Sequence, residues 1–339
     1  MKKLLAILLS VMMVLSMAAC SGGEEEATKA PAVQNGDTAG SEPAAAKTYV
    51  IGICQYMPHP ALDDATKGFK DAVTEALGAE NVTFEEQNAA GEASNCSTIV
   101  NGLVSSKVDL IMANATPAVA AAYNATETIP ILGTSVTEYG VALGIDNFDG
   151  LVGSNVSGTS DLADLSKQAE MVLQWVPEAK TCGLLYCSAE ANSKYQVDVV
   201  KKELEAKGVE CKLFAFADTS DLMAVTQECA DYSDVIYIPT DNTAANNAVA
   251  IDSICRPAGV PIVAGEAGTC AGCGIATMSI DYYDLGYATG EMAVKILKGE
   301  AKIEEMPIEY APEATYLYNE EICNDLKITP LEGYSKLEQ

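Results

Sequence analysis

One histidine serves the whole chain: His59, set between two prolines in "QYMPHPAL" just after an apolar run. An imidazole there can give or take one hydrogen bond in a pocket, with Tyr56 beside it as an aromatic floor, or it can steady a Pro-rich surface turn. Other apolar runs are followed by hydroxyls, at Thr116 and Ser135, and by carboxylates, at Asp161 and Asp241. Hydroxyls from one side and carboxylates from the other suit a zwitterion. Thr116, Ser135 and the N–H groups of helix starts would hold a carboxylate, while Asp161 and Asp241 would pair with an ammonium shielded from water. The plainer reading of Thr116, Asp161 and Asp241 is that each caps a helix, since Ser, Thr and Asp are the preferred caps.

Catalytic chemistry lacks its parts. A single histidine cannot supply the paired ligands of a zinc helix, and neither a GxSxG elbow nor a GxxxxGK phosphate loop occurs. A thiol enzyme would need His59 as base, and Cys54 lies inside an apolar strand where it reads as packing. Cys270 and Cys273 in "TCAGCG" invite a local disulfide or a redox role, yet they fall late in the chain and between strands. Most of the eleven cysteines read as buried thiols because they are scattered through predicted strands and helices. Trp175, at a helix end, also reads as packing.

The elements that must position these groups alternate. Short β-rich runs are predicted near Tyr49–Cys54, Val82–Glu86, Val108–Ala113 and Pro130–Gly133, with helices near Pro60–Leu77, Ala93–Ser106 and Pro117–Glu127. A second set of strands follows near Thr181–Tyr186, Cys211–Phe216, Asp234–Ile238 and Pro261–Ala264. "VIGICQYMPHP" aligns with "TCGLLYCSAEA", so Gly52 meets Gly183 and His59 meets Glu190; "VDLIMANATPA" aligns with "SDVIYIPTDNT", so Asp109 meets Asp234 and Thr116 meets Asp241. Two lobes of one design, each a doubly wound parallel sheet, explain the near-constant offset. Ligands of such sheets bind beyond the carboxyl ends of the strands, and two facing lobes share one cleft.

Composition bounds the class. The formal charge of −28 with a single arginine, Arg256, repels nucleic acid and leaves little for bidentate phosphate capture. Lys2 and Lys3 before the apolar run Leu4–Met17 mark a secretory signal peptide over 1–19. Residues 20–47, rich in Gly, Ala, Glu and Pro, form a disordered tether. About 290 residues remain, which exceeds the roughly 250 at which one core stops growing and predicts two domains.

The segment "LSMAAC" resembles the lipobox of bacterial lipoproteins, which implies lipidation of Cys20 and a place on the outer face of the cytoplasmic membrane. From Tyr49 to Ile328 the chain resembles the ABC-transporter substrate-binding lipoproteins that include tryptophan- and tyrosine-binding proteins, through "IGICQYMPHPALDDATKGF", "EEQNAAGE", "DLIMANATPA", "NVSGTSD", "LLYCSAEANS", "IPTDN" and "IDYYDLGYATG". That resemblance implies a type I periplasmic-binding-protein fold, α/β with two lobes joined by a hinge: 48–157 plus 282–312 as the N-terminal lobe, 158–281 plus 313–339 as the C-terminal lobe. It implies a monomer without turnover or cofactor that passes an L-amino acid, aromatic first and aliphatic close behind, to a permease and its ATPase. A sensing ectodomain with another receptor partner is the alternative. Carried over as ligand contacts are Tyr56, His59, Asn88, Thr116, Ser135, Asp161, Asn192, Asp241 and Glu266. "TEYG" at 137–140 and "GEAGTCAGCG" depart from the family pattern near the cleft.

Overall fold

The structure is a computed structural model that describes residues 47–311 and 314–338; the leader, Cys20 and nearly all of the tether lie outside the described residues. The first half runs β1 (Tyr49–Gln55), α1 (Pro60–Leu77), β2 (Val82–Asn88), α2 (Ala93–Ser106), β3 (Leu110–Asn114), α3 (Thr116–Ala125), β4 (Ile131–Val136), α4 (Tyr139–Leu143) and β5 (Val156–Ser160). The second runs α5 (Leu165–Trp175), β6 (Thr181–Cys187), α6 (Ala191–Ala206), β7 (Glu210–Phe216), α7 (Leu222–Tyr232), β8 (Val235–Ile238), α8 (Asn242–Asn246), α9 (Ala248–Ala258), β9 (Ile262–Ala264), α10 (Ala267–Cys273) and β10 (Ala276–Ser279). The chain closes with α11 (Tyr282–Leu297), β11 (Glu309–Tyr310), β12 (Thr315–Tyr318), α12 (Glu320–Asp325) and β13 (Ser335–Lys336).

Inner strands read as unbroken apolar runs because helices cover both faces: β3 and β4 are buried throughout and β1 from Ile51 onward. The edge strand β7 instead alternates exposed and buried residues. Helix α1 starts at Pro60, whose missing N–H is harmless in the first turn, and buries Leu62, Ala65, Thr66, Phe69 and Val73 at helical spacing.

Sheet one has the order β11-β5-β4-β3-β1-β2 and sheet two β13-β12-β10-β9-β8-β6-β7. Every ladder is parallel except β10 with β12. The chain passes between the sheets three times, at 161–164, at 280–281 and between β11 and β12. The first crossing follows Ser160 rather than 157, because β5 stays paired to β4 through Val136 and Ser160.

The internal duplication has physical content. Asp109 Oδ2 accepts from the Val50 N–H at the start of β1 (2.8 Å), and Asp234 Oδ2 accepts from Lys180 and Thr181 N–H at the start of β6 (2.9 Å each). Gly52 backs onto Leu103 of α2 as Gly183 backs onto Cys229 of α7. Among the described residues no helix is long and apolar enough to cross a membrane.

Candidate functional site

The loop that carries His59 is fixed by a polar network beneath it. Gln55 Nε2 donates to the Met57 carbonyl (2.9 Å) and Asp63 Oδ1 (2.6 Å), and Thr66 donates to Gln55 Oε1 (2.7 Å). Asn114 Nδ2 donates to the Leu62 carbonyl (2.8 Å). Held in this way, His59 is 6% exposed, so it is not a surface histidine. Its ring leans across to α10: a Cβ placed on Gly268 would stand 3.2 Å from Nε2.

Ser135 sits on a bulge. Gly133 pairs with Gly158 and Val136 with Ser160, so three steps on β4 oppose two on β5. The extra residue leaves Ser135 at φ 54°, a left-handed conformation seldom taken by a non-glycine residue and frequent at functional sites. Asp161 follows at the end of β5, and the Tyr282 hydroxyl, at the first turn of α11, donates to its Oδ2 (3.0 Å). Two of the three crossings are tied together by that bond.

His59, Ser135 and Asp161 meet Asn192, Asp241 and Glu266 around one narrow cavity between the sheets, with Ala61, Leu62 and Ala245 as its apolar wall. Three other expected contacts stand outside the lining. Asn88 ends the edge strand β2, is exposed, and accepts from the Ala90 N–H (2.8 Å). Thr116 is buried in the first turn of α3, which Ala115 and not Thr116 caps. Tyr56 is buried in the first lobe's core and does not line this cavity, although its hydroxyl is near enough to the second lobe that Glu190 and Asp241, after burial, push it up.

Of the carboxylates, two are committed to capping. Asp241 accepts from the Ala244 (2.8 Å) and Cys187 (2.6 Å) N–H groups, and Glu266 from those of Gly268 (2.6 Å) and Thr269. Asp161 is no cap; Asp164 caps α5. Burial raises the Asp161 carboxyl to about 6, with Glu266 adding to the shift and the hydroxyls of Thr137 and Tyr282 opposing it. Burial and Glu190 likewise raise Asp241. Glu190 is fully buried and binds the start of α8 through Asn242 and Thr243.

Four polar atoms of lining residues are buried and make no hydrogen bond: His59 Nδ1, Ser135 Oγ, Asp161 Oδ1 and Asn192 Oδ1. Buried polar atoms are nearly always satisfied, so four around one cavity describe a ligand's polar outline. No Lys or Arg lines the space, and Arg256 is committed to Asp252, Glu321 and Asp325. A ligand cation is therefore favoured next to Asp161, and a ligand anion must rely on hydroxyls and N–H groups.

Sequence reasoning missed Thr137, Thr240, Asn242 and Tyr282 in the lining. The strand-to-helix junction at "IDYYDLG" is the signal that could have found Tyr282. Within the two departures from the family pattern, Thr137 and Glu266 line the cavity and the other side chains prove structural. Glu138 caps α4, Tyr139 fills the space over Gly133 and Gly158 and donates to the Thr159 carbonyl (3.0 Å), and Cys270 and Cys273 are buried, unpaired thiols of α10. Burial pushes both thiols well up, which leaves them inert. All ten cysteines among the described residues are free and buried, and Trp175 packs edge-on against Tyr334 at 5.0 Å.

A family model described as ABC transporter substrate binding protein matches residues 50–338. The tyrosine-binding protein of Clostridioides difficile strain R20291 is 34% identical over 283 residues, 83% of this chain and 81% of that protein. Among solved structures, an ABC domain from Streptococcus pneumonia in complex with L-Trp is 30% identical, covers 86% of this chain and 99% of its own, and has a TM-score of 0.81. The ligand-free, open structure of a Clostridium difficile substrate-binding protein with adhesive properties, 35% identical over the same shares, scores 0.67.

Proposed function

Because the chain belongs to the ABC transporter substrate-binding protein family, we propose that it captures a free aromatic L-amino acid between its lobes and presents the closed form to an importer's permease and ATPase. Its type I periplasmic-binding-protein fold brings strand ends of both sheets to one cavity. The observation that carries the reading is Asp161 Oδ1, a buried carboxylate oxygen with no hydrogen-bond partner, on a residue lining a cavity without a cationic side chain that Ser135, with an equally unpartnered hydroxyl, also lines. Asp161 takes the ammonium and Ser135, with nearby N–H groups, the carboxylate. Ala61, Leu62 and Ala245 supply apolar wall for the side chain. The names of the relatives support the aromatic class. In this reading the protein works as a monomer held on the outer face of the membrane through a lipid on Cys20, which the "LSMAAC" segment supports.

Calorimetric titration of the folded unit, residues 46–339, with each of the twenty amino acids tests this. Saturable binding confined to aromatic ligands is the expected result. Binding of aliphatic ligands alone would change the class, and binding of none would remove the function.

Closure itself contributes a smaller effect. Asn246 Nδ2, on α8 of the second lobe, donates to Met57 Sδ (2.7 Å) and the Pro58 carbonyl (3.1 Å) of the first, away from the cavity lining. At about 0.5–1.5 kcal/mol per hydrogen bond, and with Asn246 exposed, Asn246→Ala should speed ligand release about 2- to 10-fold while arrival is little changed. Stopped-flow fluorescence reads both rates.

A further inference from the structure

Two of the four unsatisfied atoms are not used by the amino-acid head group. Ser135 and Asp161 lie at the ends of β4 and β5, next to the crossings. His59 follows β1, two strands beyond β4 and three beyond β5 in the order β5-β4-β3-β1, which is about 10 to 14 Å away at the usual strand spacing. Asn192 follows β6, which holds the same place in sheet two, in the order β10-β9-β8-β6. A ligand whose head sits on Ser135 and Asp161 therefore sends its side chain away from the crossings toward His59 and Asn192.

Both of these residues line the cavity and hold a buried polar atom that makes no hydrogen bond. Asn192 is 3% exposed, and its Nδ2 donates to the Thr240 carbonyl (3.0 Å), which fixes the amide so that Oδ1, a pure acceptor, is the atom left over. His59 is 6% exposed with Nδ1 unsatisfied, and an imidazole nitrogen can donate as well as accept. A phenyl or aliphatic tip satisfies neither atom. An indole N–H, a donor only, can satisfy one of the two and not both. A hydroxyl does both, since its O–H donates to Asn192 Oδ1 while its oxygen accepts from His59 Nδ1–H.

We propose that Asn192 and His59 are the specificity-determining pair of this site and that they read a hydroxyl at the tip of the ligand side chain, so that tyrosine is selected over phenylalanine. The inference rests on the amino-acid reading above. A site built to bond a substrate hydroxyl rejects the analogue lacking it because its own buried groups are left unpaired. One or two such atoms correspond to a preference of about 10- to 100-fold.

The test measures tyrosine, tryptophan and phenylalanine affinities for the wild type and for Asn192→Leu and His59→Phe. Tyrosine is expected to bind at least about tenfold tighter than phenylalanine, with tryptophan between them. Each variant should lower the tyrosine affinity toward that of phenylalanine, and its phenylalanine affinity reports that the site is still folded. A wild-type preference below tenfold, or one that a folded variant leaves unchanged, overturns the proposal while the amino-acid reading stands. If the wild type binds other amino acids but ranks tryptophan first, the hydroxyl reader is likewise wrong. If it binds none, the amino-acid reading falls and this one with it.

Discussion

Replacing Asp161 by Asn is expected to weaken amino-acid binding by two to three decades and, at neutral pH, to make the ligand-free protein more stable. Both effects come from one buried oxygen. Removing one partner of a buried, hydrogen-bonded ion pair costs about 3–5 kcal/mol, because the other charge stays buried without it. In the empty cavity the same carboxylate is a liability. Its proton is held to about pH 6 instead of the ordinary 3.8, with burial as the main cause, so ionising it at neutral pH opposes folding by up to about 3 kcal/mol. The sign follows from proton counts. Between pH 4 and 6 the native state holds a proton that the unfolded chain has released, so stability of the empty protein falls as pH rises through that window. Affinity for an ammonium runs the other way and rises toward and just above pH 6, as the carboxylate forms. Melting curves of the empty protein and calorimetry at pH 4.5 and 7.5 should therefore slope in opposite directions for the wild type, and both slopes should flatten in the variant. Asp241, also raised by burial and Glu190, keeps part of the stability slope. Binding by the Asp161→Asn variant within a few-fold of wild type would show that the ammonium is held elsewhere.

What the sequence made legible follows from local chemistry. Pro60 and the spacing of Leu62, Ala65, Phe69 and Val73 place α1 at the bounds the structure has, and the apolar runs of the inner strands mark a sheet covered on both faces. The offset that pairs Asp109 with Asp234 announces two lobes, since each carboxylate holds the start of a neighbouring strand. The site was legible only in part, because what matters there is which atom is left over. Asp161 and Asp241 both follow strands in polar loops, yet one leaves an oxygen bare while the other accepts two backbone N–H groups. The left-handed turn of Ser135 depends on how β4 pairs with β5, and the Tyr282 bond joins residues 121 positions apart. Asn88 misled because its polar loop resembles the others, whereas its strand lies at the far edge of the sheet.

The contact that holds the site's two anchoring helices together should be the most sensitive in the fold. Helices α1 and α11 approach so closely that a Cβ on Gly286 would stand 1.9 Å from the Ala65 carbonyl oxygen, and one on Gly68 would stand 2.1 Å from that of Tyr283. These are backbone atoms and cannot turn aside as a side chain can, so Gly286→Ala must push the helices apart by about 1 Å to restore contact distance. In an open helix the same change gains about 1 kcal/mol. Here the clash reverses the sign, and a loss of about 3 kcal/mol is expected, at the upper end of overpacking effects. His59 precedes α1 and Tyr282 opens α11, so the displacement reaches the pocket as well, and affinity should fall with stability. Gly102 on α2, with nothing within 4 Å of an added Cβ, is the internal control, and Gly102→Ala should be stabilising. Urea midpoints for the pair, moving in opposite directions from wild type, would bear out the close helix packing; a rise in both would mean that α1 and α11 stand further apart than this.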